Sequence, residues 1–338
     1  MSDGLTIPVY RSIAEVPSGF GPSVAVIGNF DGVHLGHRQI LSAAAAEARA
    51  RGFRSIAITF DPHPAQFLYP SVAPKLLTFL PQRLKLLATT GIDAVLILTF
   101  NEALSRLTPR DFVHDILVGV LDVRGLHEGA SFRFGHGAKA GVTELKGFGA
   151  EFGFGVEVHP AVRVHGMEVS SSAVRGLIAA GDVRRARWML GRTFAVQSTP
   201  ARGRGVGTKL LVPTVNLAPY EGLLPGFGVY VTRLTVSGRC FQAVTNVGNR
   251  PTFEGAGFGV ETHILDFEPI DLYPTDEDLS AEIPEAFRKE TLLELEFLSR
   301  LRGEKTWPSP EELKAQIFKD VAEAKRFFRI VELGNLSV

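Results

Sequence analysis

The sequence predicts an α/β domain with a parallel sheet, followed by a smaller antiparallel β domain and a terminal helix. Three observations lead to this fold class. Apolar strand-like runs alternate with helical patterns in the first half, short β-branched and aromatic segments succeed one another in the second half, and the tail repeats apolar residues at helical spacing. The 338 residues also suit two domains, since domains usually hold roughly 100–200 residues.

The first half alternates strands and helices. Three apolar runs, SVAVIGNF, SIAITF and AVLILTF, end at Phe30, Phe60 and Phe100. The segments between them, ILSAAAAEARARG and LLTFLPQRLKLLATTG, are rich in strong helix formers. Apolar strands of this kind are typical of a parallel sheet covered on both faces, which binds ligands beyond the carboxyl ends of its strands.

The pattern changes between Arg187 and Arg192, after a last helical stretch, SAVRGLIAAGDVRRARWMLGR. The segments GVYVTRLTV, CFQAVTNVG, VETHILDF and LLELEFL then follow without helices between them, which predicts a small antiparallel barrel or sandwich. In the tail, Ser309 is placed to cap a helix, Pro310 takes the first helical position, and Glu312 completes a capping box.

Composition excludes several classes of protein. The chain is 45% hydrophobic and 21% charged, which excludes a disordered or fibrous chain. Its 36 basic and 36 acidic residues balance, so the chain lacks the positive electrostatic potential of a general nucleic-acid or membrane-surface binder. The single Cys240 cannot form an internal disulfide, and no run reaches the ~18 apolar residues of a membrane span. We therefore expect a soluble cytoplasmic protein with no nucleic-acid or membrane partner.

A glycine turn with two histidines, GNFDGVHLGH, joins the first strand to the first helix. Its glycines allow a tight turn and close approach to a ligand, and the helix N-terminus favours an anion. His34 and His37 are three residues apart, so both rings can donate to a phosphate. Two histidines near a glycine are, however, often surface or capping residues. The candidate binding residues in the turn are Gly28, Asn29, Phe30, Asp31 and Gly32.

Two further segments contribute polar groups to the same region. Asp61 and His63 follow the second strand, where they meet the same carboxyl edge of the sheet, although a proline-stiffened loop explains them equally well. A run of hydroxyls opens a later helix and either binds phosphate or simply caps that helix. The residues of this second segment are Ser170, Ser171, Ser172 and Arg175.

A second candidate site lies in the β-rich half. A loop containing Gly203 and Gly207 leads into a strand that carries Thr214 and Asn216. These two residues share one face of the strand and can direct oxygens at one Mg²⁺ ion, although a polar strand edge is an alternative interpretation. Glu261, on a later strand, is the best-placed carboxylate to take a proton from an alcohol in phosphoryl transfer, but exposed strand glutamates are common.

Taken together, these motifs resemble the two modules of prokaryotic bifunctional FAD synthetases. GNFDGVHLGH, TFDPHP, FRFG and SSSAVR resemble the adenylyltransferase module, a member of the nucleotidylyltransferase superfamily. PTVN, GVY, NVGNRPTF, VETHILDF and DLY resemble the riboflavin kinase module. The resemblance implies a Rossmann-like nucleotidylyltransferase domain over residues 1–187. It also implies a six-stranded antiparallel β-barrel riboflavin kinase domain with a terminal helix over residues 188–338.

The resemblance also implies two activities. The barrel would phosphorylate riboflavin to FMN with ATP and Mg²⁺, and the α/β domain would transfer AMP from ATP to FMN, forming FAD and pyrophosphate. His34 and His37 would stabilise phosphate charge, Thr214 and Asn216 would hold Mg²⁺, and Glu261 would act as base. The serines and Arg175 would secure the triphosphate. The oligomeric state stays open, a homo-oligomer included.

Three alternatives differ in function. Thr208 and Leu211 stand where the family carries a basic residue and a glycine, which leaves open a single-activity FMN adenylyltransferase whose barrel only binds flavin. A flavin sensor without turnover is a second alternative, against which the candidate base Glu261 argues. Transfer-RNA aminoacylation fails because the Lys-Met-Ser-Lys-Ser element and a net positive charge are both missing.

Overall fold

The chain forms two compact units. The computed structural model describes residues 7–201, 214–250, 257–266 and 292–335. The units are Met1–Ala173 and Val174–Val338. The sequence-based domain boundary after residue 187 stays a prediction.

The first unit is built on a six-stranded parallel sheet, as the sequence predicts. Its strands lie in the order β1-β4-β3-β2-β5-β6, and all neighbours run parallel. The strands are β1 (Val9–Tyr10), β2 (Ser23–Ile27), β3 (Arg54–Asp61), β4 (Ala94–Thr99), β5 (Val123–Gly129) and β6 (Gly155–His159). A separate antiparallel pair is formed by β7 (Arg163–Val164) and β8 (Met167–Glu168).

Helices cover both faces of this sheet. The helices of this unit are α1 (Leu35–Arg51), α2 (Pro64–Leu68), α3 (Leu80–Ala88), α4 (Glu102–Arg106), α5 (Pro109–Asp111), which continues as a π-helical segment (Phe112–Val118), and α6 (Val142–Phe152). A further helix, α7 (Ser171–Ala179), begins at the end of this unit and continues into the second. Two short 3-10 turns span Ile13–Glu15 and His136–Ala138. Alternate residues of β2 enter opposite cores: Val24 and Val26 pack with α1, while Ala25 and Ile27 pack with the π-helical segment.

The strand order reverses direction between β2 and β5. From β2 the chain adds β3 and β4 on one side, and it then returns to place β5 on the other side. Open α/β sheets bind ligands at such a switch point, beyond the carboxyl ends of the strands. The residues that follow Ile27 and Gly129 therefore define the candidate site of this unit.

Several predicted boundaries were wrong by a few residues. β2 ends at Ile27 rather than Phe30, because Phe30 has a φ of +48° and cannot continue a strand. α1 begins at Leu35, before the Ala-rich run, because the His34 side chain caps it. The long helix predicted before Arg192 divides at Gly181, whose φ is +80°.

The second unit is an antiparallel sheet with a terminal helix. The strand order is β10-β11-β14-β13-β12-β15-β9. Only Thr199 separates β9 from β10, yet the two lie at opposite edges, so the sheet curves back on itself. Counting β9 and β10 as one bent strand gives six strands among the described residues of this unit, the number predicted for the barrel. The elements are α8 (Val183–Leu190), β9 (Phe194–Ser198), β10 (Pro200–Ala201), β11 (Thr214–Leu217), β12 (Gly228–Val236), β13 (Arg239–Arg250), β14 (Gly257–Ile264), β15 (Leu293–Gly303) and α9 (Pro310–Asn335).

The terminal helix α9 packs on the outside of this sheet. Ser309 Oγ accepts the Glu312 backbone N–H at 3.2 Å, which confirms the predicted cap. Ala324 and Phe328 of α9 are buried against the sheet. A partly buried ion pair adds to this docking, because Arg302 Nη2 donates to Asp320 Oδ2 at 2.8 Å and Arg302 Nε contacts both carboxylate oxygens at 3.1 Å.

Removing one partner of this ion pair should be costly. We expect Asp320→Ala to lower the free energy of unfolding by about 1–3 kcal/mol, because it removes the charge-assisted hydrogen bonds of the half-buried Arg302. Lys325→Ala removes a more exposed pair on the same helix and should cost at most ~1 kcal/mol. Urea unfolding curves of both variants provide the measurement, and equal losses would contradict the assignment.

Candidate active sites

The turn between β2 and α1 is strained. Phe30 and Val33 have φ angles of +48° and +37°, in the left-handed region that β-branched and bulky residues avoid. Each such residue costs about 1–3 kcal/mol and persists only when its surroundings hold it. Both side chains are buried in the core beneath α1. The strain allows the turn to bring the N-terminus of α1 to the switch point of the sheet.

His34 and His37 form a stacked pair at the N-terminus of α1. Their ring centroids are 3.6 Å apart, with an angle of 17° between the planes. His34 Nδ1 accepts the His37 backbone N–H at 3.3 Å. In a neutral His34 ring the proton therefore lies on Nε2, which makes that atom a hydrogen-bond donor. Gly36 permits this arrangement, since a Cβ there would lie 3.2 Å from the His34 ring.

His37 is held as a neutral ring. Burial lowers its pKa well below the ordinary value of 6.5, and the neighbouring charges of His34 and Arg83 lower the pKa further. Its Nδ1 atom is buried and has no hydrogen-bond partner among the described residues. His37 therefore offers a neutral imidazole group to a ligand.

This depressed pKa predicts a pH-dependent stability. Below about pH 6.5 His37 is protonated in the unfolded chain but stays neutral in the folded chain. The free energy of unfolding therefore falls as the pH falls, by at most ~1.4 kcal/mol per pH unit. His37→Gln should remove this part of the slope. Unfolding curves between about pH 7 and pH 5 measure it. The exposed His114→Gln variant is the control, and identical slopes in all three proteins would contradict the prediction.

Asp31 and Asn29 tie the turn to the rest of the unit. The buried Asp31 carboxylate accepts the backbone N–H groups of Leu77 and Thr78 at 2.9–3.0 Å. Asn29 presents its carbonyl oxygen to Arg83 Nη1 at 2.7 Å. In this structure the Asp31 carboxylate thus braces the turn, and its predicted part in nucleotide binding stays a prediction.

The serine segment lies at the start of α7. Ser171 Oγ donates to the Asp31 carbonyl oxygen at 2.9 Å, which places this helix start directly beside the glycine turn. Ser170 Oγ accepts the Ala173 backbone N–H at 3.1 Å, so Ser170 caps the helix, as the alternative interpretation held. Ser172 is exposed, and Arg175 lies one turn after Ser171 along α7.

In the polar segment that follows β3, His63 has a structural role. His63 caps α2, because its Nδ1 atom accepts the Ala65 backbone N–H at 3.1 Å. Asp61 is the last residue of β3 and is exposed at the carboxyl edge of the sheet.

In the barrel, three polar residues lie side by side on neighbouring strands. Asn216 of β11 is directly opposite Glu261 of β14, which is in turn opposite Asn246 of β13. Residues in register share one face of a sheet. Glu261 is exposed, while Asn216 is buried. The opposite face of β14 is buried and carries Thr262, whose hydroxyl contacts Thr245 at 3.0 Å.

Some kinase candidates lie outside this description. Gly203, Gly207, Thr208 and Leu211 are outside the described residues. The backbone of Thr214 pairs with His263, two positions before Asn216 on β11, but the Thr214 side chain is not described.

Two family models match the chain. FAD synthetase matches residues 18–173 and riboflavin kinase matches residues 190–328. The bifunctional riboflavin kinase/FMN adenylyltransferase of Escherichia coli (strain K12) is 34% identical over 310 residues, which are 91% of this chain and 94% of that protein. The chain belongs to the bifunctional riboflavin kinase/FMN adenylyltransferase family. This enzyme therefore uses ATP to make FMN from riboflavin and FAD from FMN, as the sequence predicts.

Other relatives agree with this assignment. The Pseudomonas fluorescens member of the bifunctional riboflavin kinase/FMN adenylyltransferase family is 36% identical over 303 residues, which are 89% of this chain and 92% of that protein. A solved structure described as a macrolide-efflux protein from Streptococcus pneumoniae superimposes with a TM-score of 0.80 and covers 94% of this chain and 98% of its own. At 24% identity it shows the fold alone. Within the described part of this enzyme, no helix is long and apolar enough to span a membrane.

Sequence reasoning missed two buried ionisable groups near the turn between β2 and α1. Arg83 is fully buried, and its Nε and Nη2 atoms have no partner among the described residues. Burial lowers the Arg83 pKa, while Asp31 and Asp61 oppose that change. Glu128 is also buried and accepts the Ile27 backbone N–H at 2.8 Å; burial raises its pKa well above the ordinary value. Arg83 contacts the turn at Asn29 and Glu128 contacts the end of β2 at Ile27. Both contacts arise from long-range folding, which no local motif signals.

Proposed function

We propose that the His34–His37 pair serves adenylyl transfer and that Glu261 serves riboflavin phosphorylation. The observation that supports the first assignment most is the stacked pair at the N-terminus of α1, with the donor hydrogen of a neutral His34 placed on Nε2. The register of Glu261 with Asn216 supports the second.

In adenylyl transfer, a phosphate oxygen of FMN attacks the α-phosphorus of ATP and pyrophosphate leaves. Negative charge shifts onto the leaving phosphate groups as the bond breaks. The N–H donor of His34 and the free N–H groups of the first turn of α1 would stabilise that charge. Ser171, Ser172 and Arg175 would hold the triphosphate from the side of α7. Because the enzyme forms no covalent bond here, its contribution is positioning and charge stabilisation.

In riboflavin phosphorylation, the Glu261 carboxylate would orient the riboflavin hydroxyl and accept its proton as the oxygen attacks the γ-phosphorus of ATP. The proposed Mg²⁺ would neutralise charge on the ATP phosphates. Thr214 and Asn216 would hold it, and the buried Asn216 carboxamide opposite a carboxylate is the kind of oxygen donor set that Mg²⁺ accepts.

The proposed magnesium ligands can be tested by comparing the two reactions of a single variant. We expect Asn216→Ala to raise the Mg²⁺ concentration needed for half-maximal FMN formation, because it removes one proposed oxygen ligand. The Mg²⁺ requirement for converting supplied FMN to FAD should not change. The measurement is a magnesium titration with riboflavin or FMN as substrate, with FMN and FAD separated over time. A parallel rise for both reactions would contradict the assignment.

We further propose the domain division 1–187 and 188–338. The two family matches leave residues 174–189 unassigned, and the proposed boundary falls within that gap. A cytoplasmic location, the lack of nucleic-acid and membrane partners, and the oligomeric state stay predictions.

A further inference from the structure

A cluster of two histidines and two glutamates lies on the α1 face of β5 and β6, and none of the four belongs to the residues proposed for the two reactions. His127 of β5 pairs with Glu157 of β6, and His159 lies two residues further along β6. Residues two apart share a face of a strand, so the three side chains converge. Glu47 of α1 approaches the same cluster from the helix that covers this face.

The three strand residues are spaced like metal ligands. His127 Nδ1 lies 3.0 Å from His159 Nε2. The Glu157 oxygens lie 4.0 Å from His127 Nδ1 and 3.7 Å from His159 Nε2. Two nitrogens that bind one tetrahedral Zn²⁺ at about 2.0–2.1 Å are separated by roughly 3.3 Å. A shift of a few tenths of an ångström would therefore place both rings and one carboxylate oxygen around an ion.

Glu47 supplies the partner that metal-binding histidines usually have. Its Oε2 atom lies 2.7 Å from His127 Nε2, which leaves His127 Nδ1 as the lone-pair nitrogen that faces His159. Arg51, one turn further along α1, pairs with the other Glu47 oxygen at 2.5 Å. The carboxylate is thereby fixed, and it fixes the His127 ring in turn.

We propose that His127, His159 and Glu157 bind one divalent transition-metal ion of the Zn²⁺ class. Two imidazoles with one carboxylate favour such an ion over Mg²⁺, which prefers oxygen ligands. Both histidine side chains are buried, whereas that of Glu157 is 60% exposed, so the fourth ligand position opens to water. His159 takes up the ion by moving its proton from Nε2 to Nδ1, which needs no net proton release.

Such an ion would clamp the carboxyl ends of β5 and β6. The His159 carbonyl oxygen already accepts the Ala130 backbone N–H at 3.1 Å, where the chain leaves β5. An ion on the His159 ring would strengthen the same junction.

The test uses the full chain without a histidine tag, treated with a chelator and kept in excess Mg²⁺ to occupy oxygen-rich sites. Co²⁺ is added while its visible absorption is followed, and Zn²⁺ binding is measured by calorimetry. We expect one equivalent of Co²⁺ with the absorption of a nitrogen-ligated four-coordinate ion, displaced by one equivalent of Zn²⁺. No binding, or binding with six-coordinate absorption, would overturn the proposal.

Substitutions test which residues bind the ion. Glu157→Gln and His159→Gln should each weaken Zn²⁺ binding at least about tenfold, and Glu47→Gln should do so about 10–100-fold through the His127 ring. The exposed pair His114 and Asp115 provides the control, since His114→Gln should leave binding unchanged. Glu157→Gln alters an exposed side chain and keeps the test independent of folding. Binding that survives both Glu157→Gln and His159→Gln, for example on His34 and His37, would overturn the proposal.

Discussion

Replacing Glu261 by Gln is expected to lower the rate of FMN formation about 10²–10⁴-fold, the usual contribution of a general base. Glutamine has the same size and keeps a hydrogen-bond acceptor toward the riboflavin hydroxyl, but it cannot take the proton. The side chain is exposed on β14, so the fold should not change. Conversion of supplied FMN to FAD should continue at the wild-type rate, since that reaction is assigned to the other unit.

The measurement compares two initial rates in the same preparation, FMN formation from riboflavin and FAD formation from FMN. Glu296→Gln is the matched control, since Glu296 lies on strand β15 of the same sheet and pairs with Arg233 at 3.2 Å. It should affect neither rate. An unchanged rate of FMN formation in Glu261→Gln, or loss of both activities from a folded variant, would contradict the assigned role.

Replacing His34 by Ala should have the converse effect. Loss of one transition-state hydrogen-bond donor typically costs about 10²–10³-fold, so FAD formation from FMN should fall by that factor or more. FMN formation from riboflavin should be spared. The substitution also removes the side chain that caps α1, which should cost about 1 kcal/mol of stability.

A second substitution separates chemistry from capping. Asparagine is a strong N-cap residue, so His34→Asn should restore the stability that His34→Ala loses. It has no imidazole N–H at the position of Nε2, and FAD formation should remain low. Initial rates and urea unfolding curves of both variants provide the comparison. Recovery of FAD formation in His34→Asn would show that His34 acts only as a helix cap.

The fold was predictable from the sequence wherever apolar residues recur at one regular spacing along a segment. The alternation of buried strands with an Ala-rich helix fixed the parallel sheet, and Ser309 with Glu312 marked the start of α9. Strand ends were less predictable. The apolar residues Phe30 and Phe100 continue the hydrophobic runs in the sequence, but the strands end before each of them, at Ile27 and Thr99.

The candidate sites were predictable only as far as their local motifs reached. His34 and His37 are neighbours on one helix turn, and Glu261 follows a recognisable strand pattern. Arg83 lies 54 positions from the Asn29 carbonyl that it contacts, and Glu47 lies 80 positions from His127. Such pairs meet only because the sheet order places distant segments together, and no spacing in the sequence records that order.

The left-handed conformations of Phe30 and Val33 link the site proposed for adenylyl transfer to the apolar interior. Their side chains share one core with Leu41 and Leu87, and the packing there holds the turn in its costly shape. A cavity in that core, for example from Leu41→Ala, would let the backbone of the turn relax and would displace the His34 and His37 rings. Damage to FAD synthesis would then originate in residues that never meet a nucleotide.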